Sequence, residues 1–276
     1  MKLAWLTDIH LNFVAPDEVS SLAQNIVKSG AGAVLVGGDI AEADSMADSL
    51  RQLSRESNIP LYFVLGNHDY YRGSIAGVRE EATAISRESS TLKWLPDSGV
   101  VQLTGKASLV GHGGWGDGRI GRFFESDVVL NDYALIAELQ ALHRHDLLPP
   151  ESILTAELHA KLGALGDEAA DHFRRVLPQA LETSQRIVVL THVPPYREAC
   201  WHEGQLSDDN WAPRFSCKAV GDVLVEFMAA RPDRTMTVLC GHTHSSGHAQ
   251  VLENLEVLTG DAVYGQPKIQ QVLDVE

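Results

Sequence analysis

Short apolar runs alternate with amphipathic stretches through the first ninety residues. Lys2 to Leu6, Ala33 to Val36 and Leu61 to Leu65 are four- or five-residue runs that read as buried strands. Between the first two, Val19, Leu22, Ala23, Ile26 and Val27 recur at i, i+3, i+4, i+7 and i+8 and form one apolar helical stripe, punctuated by Gly30 and Gly32. Asp44 to Arg55 and about Ser74 to Glu88 carry helical patterns as well. This β-α-β-α-β order predicts a parallel sheet with right-handed crossovers.

The second half has a similar texture. Val100 to Leu103 and Ala107 to Val110 are strand-like, with Gly105-Lys106 as the turn between them, and a glycine-rich loop follows from Gly111 to Gly121. Asp127 to Glu182 is mostly helical in pattern, with breaks expected at Pro149-Pro150, Gly163 and Gly166. Arg186 to Leu190 and Thr235 to Cys240 read as strands, and Ser216 as the cap of a helix running to about Ala230. The stretch from Pro194 to Phe215 lacks periodicity, as long functional loops do. Strands near Ala249 to Leu252, Glu256 to Thr259 and Lys268 to Leu273 close the pattern.

Composition narrows the function classes. The 276 residues hold 22 Lys and Arg against 37 Asp and Glu, a net charge of −15. That excess repels a phosphate backbone, so nucleic-acid binding is disfavoured, but it is compatible with bound metal cations. A length near 300 residues suffices for a single α/β domain with its own core. No apolar run approaches the ~20 residues of a membrane span. The first residues offer one Lys and a four-residue apolar run, too short for a signal-peptide core. Cys200, Cys217 and Cys240 form no close pair and suggest a reducing compartment, the cytoplasm.

The informative feature is what stands at the end of five strands. Asp8-Ile9-His10 follows the first, Gly37-Gly38-Asp39 the second and Gly66-Asn67-His68-Asp69 the third; His192 follows Arg186 to Thr191, and Gly241-His242-Thr243-His244 follows Thr235 to Cys240. Ligands in open α/β sheets bind outside the carboxyl ends of strands. A lone Asp there is more often a helix cap, and a lone His a structural residue. Five such ends carrying Asp, Asn or His point together to a metal site. The set is hard oxygen plus imidazole without thiolate, which suits Mn, Fe or Zn. It is too large for one zinc and sufficient for two metals, with a mid-chain carboxylate such as Asp39 as the natural bridge.

These five blocks resemble the pattern of the calcineurin-like metallophosphoesterases: D-x-H, G-D, G-N-H-D/E, a lone H, and G-H-x-H, in order from residue 8 to residue 244. The resemblance implies a four-layer α/β/β/α sandwich, two mixed sheets with helices outside. It implies Asp8, His10, Asp39 and His244 around one metal, and Asp39, Asn67, His192 and His242 around a second. It implies hydrolysis of phosphate mono- or diesters by attack of a metal-bridging hydroxide on phosphorus. His68 would protonate the leaving oxygen, and Asp69 would orient His68 through a hydrogen bond. A nuclease of the same fold and a non-catalytic, metal-bound scaffold for a protein partner are the alternatives. The full set of ligand positions and the presence of His68 argue against the scaffold, and the net charge against the nuclease. The expected substrate is a small-molecule phosphate ester.

Around this core, Arg72, His112, Arg119 and Arg197 are candidate substrate contacts, together with Arg122. Each has an ordinary reading as a solvated or structural loop residue. Tyr70, Tyr71 and Tyr196 are placed near the rim, Trp115 beside the cleft, and Trp201 and His202 in a possible lid. Cys240 reads as packing, and His143, His145, His159, His172 and His248 as structural or surface residues. The helical insertion, about residues 127–182, is a possible cleft cover, although its stripe of Leu130, Ala134, Ala137 and Ala141 reads first as packing.

Overall fold

The computed structural model describes residues 1–140, 142 and 151–276. In chain order the strands are β1 (Lys2–Leu6), β2 (Ala33–Gly37), β3 (Leu61–Val64), β4 (Leu92–Trp94), β5 (Val101–Gln102), β6 (Ala107–Gly111), β7 (Arg186–Leu190), β8 (Trp201–His202), β9 (Gln205–Leu206), β10 (Thr235–Cys240), β11 (Gly247–Leu252), β12 (Leu255–Thr259) and β13 (Gln271–Asp274). The helices are α1 (Pro16–Lys28), α2 (Met46–Ser57), α3 (Ile75–Glu88), α4 (Leu95–Ser98), α5 (Asp132–Leu135), α6 (Ala137–Gln140), α7 (Glu151–Thr183), α8 (Ala212–Phe215) and α9 (Lys218–Ala229). One sheet has the order β13-β1-β2-β3-β4 and a second β11-β12-β10-β7-β6-β5, with β8-β9 as a separate ribbon. β1 to β4 are mutually parallel with β13 antiparallel at the edge; β12, β10, β7 and β6 are parallel, with β11 and β5 antiparallel at the two edges.

Residue parity along the strands fixes the layers. Leu3 and Trp5 of β1, Ala33 and Leu35 of β2, Ala107 and Leu109 of β6, Val188 and Leu190 of β7, and Leu239 of β10 share one core between the two sheets. The alternate residues point outward, as the two-residue strand period requires. Ala4, Leu6, Val34 and Val36 pack with α1, α2 and α3; Ile187, Val189, Met236 and Val238 pack with α7 and α9. Strands buried on both faces must be apolar at nearly every position, which is why β1, β2 and β7 read as unbroken runs. The outcome is two mixed sheets flanked by helices.

Several local expectations are corrected. In α1, Val19, Leu22, Ala23 and Ile26 are buried, but Val27 is 52% exposed, because the stripe is narrower than its spacing suggests. α7 runs through Gly163 and Gly166 without a break. A Cβ at residue 166 would lie 2.6 Å from that of Asp117, so this glycine brings the helix against the glycine-rich loop. The C-terminal half of α7, with Ala169, Phe173 and Leu177, is part of the outer layer on the second sheet rather than a cover. Before it, Val128, Asp132, Tyr133, Ile136 and Leu139 are buried, and Ala134 and Ala137 are exposed. Ala141, Pro149-Pro150, His143 and His145 lie outside the described residues. Ser216 does not cap α9; its hydroxyl donates to the Ala212 carbonyl, and Cys217 stands at the cap position. The aperiodic stretch before it holds the β8-β9 ribbon and α8. Among the described residues, no helix is long and apolar enough to cross a membrane.

Phe173 is fully buried between α7 and the second sheet. Phe173→Ala should lower unfolding free energy by about 3–5 kcal/mol. Ser74 caps α3 by accepting from the Gly77 N–H at 3.0 Å, and Ser74→Ala should cost only about 1 kcal/mol. Urea titrations of the two variants check the ranking.

Candidate dinuclear metal centre

The loops that leave β1, β2, β3, β7 and β10 converge at the carboxyl ends of their strands, where the two sheets meet. Donor atoms of Asp8, His10, Asp39 and His244 all lie within 4.8 Å of one another. Asn67, His192 and His242 adjoin them: His192 Nε2 is 3.1 Å from Asn67 Oδ1, and the His192 and His242 ring centroids are 5.0 Å apart. Asp39 stands between the groups, with Oδ1 3.4 Å from His192 Nε2 and Oδ2 3.9 Å from His10 Nε2. All seven sequence-predicted ligand positions are therefore brought together.

The backbone is bent to achieve this. Asp8, His10, Asp39, His242 and His244 have φ between 40° and 70°, the left-handed region. Such residues cost of order 1–3 kcal/mol each and persist only where their surroundings hold them. Asp8 accepts the His242 N–H at 3.0 Å and the Thr7 hydroxyl at 2.6 Å, tying the first loop to the last. The neighbouring glycines permit this contact. A Cβ at residue 241 would lie 1.9 Å from Asp8 Oδ2, and one at residue 66 would lie 2.2 Å from Asp39 Oδ1.

Outer contacts set the imidazole tautomers. His192 Nδ1–H donates to the Gly37 carbonyl at 2.9 Å, leaving the Nε2 lone pair facing Asn67 and Asp39. His242 Nε2–H donates to the Arg214 carbonyl at 3.2 Å, leaving Nδ1 as the free donor atom. Asn67 Nδ2 donates to Asp132 Oδ1 at 2.8 Å, so the amide oxygen turns toward His192. The Tyr71 hydroxyl donates to the same oxygen of Asp132 at 2.7 Å.

Electrostatics agree with a site built for cations. Burial lowers His10 to about 3, and burial with repulsion from His192 lowers His242 to about 3, so both rings are neutral and able to donate lone pairs. Burial, with the charges of Asp8 and Asp69, raises the Asp39 carboxyl. Burial opposes ionisation of Asp8 too, but His192, His244 and His10 outweigh it and hold that carboxyl well below the usual range. Among the described residues His10 Nδ1 is buried without a hydrogen-bond partner, and His10 Nε2 faces His244 Nε2 at 3.2 Å. Two buried carboxylates, neutral imidazoles and an orphaned ring nitrogen fit metal ions of the Mn, Fe or Zn type.

The sequence pattern described as calcineurin-like phosphoesterase matches residues 1–246. The chain belongs to the calcineurin-like phosphoesterase family. A UDP-2,3-diacylglucosamine hydrolase from Stenotrophomonas maltophilia is 30% identical over 127 residues, 41% of this chain and 46% of that relative. The chain thus spans about half the length of the curated relatives it matches. Among solved structures, a dimetal phosphatase from Danio rerio superposes with a TM-score of 0.59 at 14% identity, covering 97% of this chain and 89% of that one. The phosphopantetheinyl hydrolase of Mycobacterium tuberculosis gives a TM-score of 0.59 at 15% identity, covering 95% and 89%. At such identities these two show the shared fold.

A cleft of about 250 Å³ opens over Asp39, Asn67, His68, His242 and His244. His68 stacks on Tyr71 with centroids 4.2 Å apart, and its side chain is 16% exposed. Asp69 does not hydrogen-bond His68. Its carboxylate accepts the N–H groups of Ile40, Ala41 and Gly66 at 2.8–3.1 Å, so it fastens the Asp39 loop to the Asn67 loop. The turn after Asn67 aims the carboxylate away from the imidazole and into the sheet.

None of the four substrate-contact candidates lines this cleft. Arg72 pairs with Glu42, Arg197 with Asp209, and Arg119 with Asp167 at 2.7 Å, each neutralised by a nearby carboxylate. His112 is buried against His172 and accepts the Gly114 N–H at 3.1 Å. Arg122 faces Asp209 and Glu125. His202 does line the cleft, beside Phe215. Sequence reasoning missed Asp132, Arg214 and Tyr264. Tyr264 lies 4.5 Å from the His10 ring, and nothing in its local sequence announces it.

Asp69→Ala should strip the acceptor from three buried N–H groups and lower stability by about 3 kcal/mol or more. A residue acting on His68 alone would leave the urea midpoint unchanged.

Proposed function

We propose that this chain hydrolyses small-molecule phosphate mono- or diesters at a two-metal centre. The observation that carries the reading is the placement of Asp39 between two donor groups, with Oδ2 toward His10 and Oδ1 toward His192. In this reading Asp8, His10, Asp39 and His244 hold one ion and Asp39, Asn67, His192 and His242 the other. Manganese, iron and zinc all suit the set. When bound, two such ions supply a nucleophile from water at neutral pH and draw off charge from the phosphoryl group.

The remaining work falls to side chains at the cleft. His68 faces the space over Asp39 from the side of Tyr71, so it offers a proton or hydrogen bond to the leaving oxygen. Burial and repulsion from His192 lower its pKa to about 4, and an adjacent phosphoryl anion opposes that repulsion. Stacking on Tyr71 holds the ring plane, and the Tyr71 hydroxyl is itself fixed by Asp132. Val129, Leu130, Phe215 and Tyr264 give the cleft apolar walls that suit the organic part of an ester. Net charge −15 favours a small molecule over nucleic acid. The likeness to a UDP-2,3-diacylglucosamine hydrolase makes a nucleotide-sugar ester one compound to try. The reading takes residues 1–276 as one phosphoesterase domain and places it in the cytoplasm, consistent with three buried free thiols.

The test is hydrolysis of p-nitrophenyl phosphate and bis-p-nitrophenyl phosphate by chelator-stripped protein with Mn²⁺ restored. Turnover should return with metal and vanish in Asp39→Asn. His68→Asn should retain its metal content and lose about 10²–10⁴-fold in kcat. Metal binding without turnover on any phosphoester tried would favour the scaffold instead, and absence of bound metal would overturn the site.

A further inference from the structure

Two half-exposed aromatic rings meet at the mouth of the cleft. Phe13, in the turn after the Asp8-Ile9-His10 block, is 54% exposed, and Tyr264 is 47% exposed. Their ring centroids are 5.0 Å apart in an edge-to-face arrangement. Single exposed apolar side chains are ordinary, but paired rings beside a ligand site form a contact surface. Tyr264 lines the cleft, and its ring lies over the first donor group, 4.5 Å from that of His10 and 5.3 Å from that of His244.

The chain holds this ring in place. Tyr264 belongs to the loop between β12 and β13, residues 260–270. At the base of the loop the Gln270 amide donates to the Asp261 carbonyl at 2.7 Å and accepts the Asp261 N–H at 3.2 Å, and Lys268 pairs with the Asp261 carboxylate at 2.7 Å. The Gln270 N–H donates to the Trp5 carbonyl at 2.8 Å, which fastens the loop to β1. A compact loop closed at its ends carries its side chains as a unit. Phe13 is outside the cleft lining and braces the Tyr264 ring.

What such a ring can bind follows from its neighbours. His68, which offers a proton to the leaving oxygen in the reading above, has its ring centroid 6.2 Å from that of Tyr264. A group attached to that oxygen therefore comes to lie beside the Tyr264 ring. The cleft, about 250 Å³, is smaller than the roughly 300–1,000 Å³ of sites that take drug-sized ligands. That leaves room for a phosphoryl group and one compact ring rather than a long chain. Aromatic rings gain from offset or edge-to-face contact with one another beyond the burial of apolar area.

We propose that Tyr264, braced by Phe13, selects esters whose leaving group carries a flat aromatic ring, by stacking with that ring. The proposal rests on the phosphoester reading above and narrows its substrate class.

The experiment measures binding, not turnover. Calorimetry on the Mn²⁺-loaded protein compares benzylphosphonate, cyclohexylmethylphosphonate and inorganic phosphate. In both phosphonates a methylene stands where the leaving oxygen would be, so neither is hydrolysed. They match in charge and nearly in size, but only the first has a flat ring. The wild type should bind benzylphosphonate about threefold to tenfold more tightly than the saturated probe. Tyr264→Leu keeps an apolar side chain without an aromatic face, and should bring that ratio to about one with the affinity for inorganic phosphate within about twofold of wild type. Tyr264→Phe keeps the face and should keep the preference. A wild-type ratio near one would overturn the proposal even if the leucine variant does not fold. So would a leucine variant that retains the wild-type ratio, including one that weakens all three ligands equally. Either result would leave the hydrolase intact. A Mn²⁺-loaded wild type that binds none of the three anions would overturn the phosphoester reading and this inference with it.

Discussion

Two carboxylates, Asp8 and Asp39, are buried in one place with their oxygens facing imidazoles. Much of the active end of the molecule follows from this arrangement. A buried carboxylate is stable only with compensating charge or donors. Asp8 takes the Thr7 hydroxyl and the His242 N–H; Asp39 takes the His68 N–H and the space between two groups of ring nitrogens. Those bonds connect the loop after β1 to the loop after β10, and the loop after β2 to the loop after β3. The donor cluster is thus also the joint between the two sheets at their carboxyl ends.

The strained backbone belongs to the same arrangement. Left-handed conformations at Asp8, His10, Asp39, His242 and His244 turn the side chains back over the strand ends. Glycines at 66 and 241 leave no side chain in the way, and Asp69 clamps the loops by taking three N–H groups. Asp69 closes the G-N-H-D block, but its role is mechanical. It keeps Asp39 and Asn67 in fixed relation, so the spacing between the donor groups does not depend on side-chain packing alone.

The segment between Asp127 and the long helix α7 divides its tasks. Val129 to Asp132 walls the cleft, and Asp132 sets the amide orientation of Asn67. Tyr133 and Phe123 surround the Arg214 guanidinium. α7 itself then spans both outer cores, with Leu158, Leu162 and Leu165 on one side and Ala169, Phe173 and Leu177 on the other. What reads as an insertion over the site is in large part the scaffold that holds its outer contacts.

The pattern of short apolar runs determined the layered α/β class, because a strand buried on both faces must be apolar at every position. The spacing of Asp, His and Asn after those runs determined the donor set, since each stands within a few residues of a strand end and the topology carries it to the same edge. Longer-range partners were not legible. That Asp69 would meet Ile40 and Ala41, that Asp132 would reach Asn67, and that Tyr264 would lie beside His10 depend on contacts between segments far apart in the chain. The fate of the arginines was equally hidden. Arg72, Arg119 and Arg197 look available as letters, yet each lies against a carboxylate brought in by folding, whereas Arg214, a basic residue in an aperiodic stretch, has its Nε and Nη1 buried without an acceptor among the described residues. Local periodicity and spacing specify which residues a strand end presents; only tertiary packing decides which charges meet, because pairing depends on distances that the sequence order does not encode.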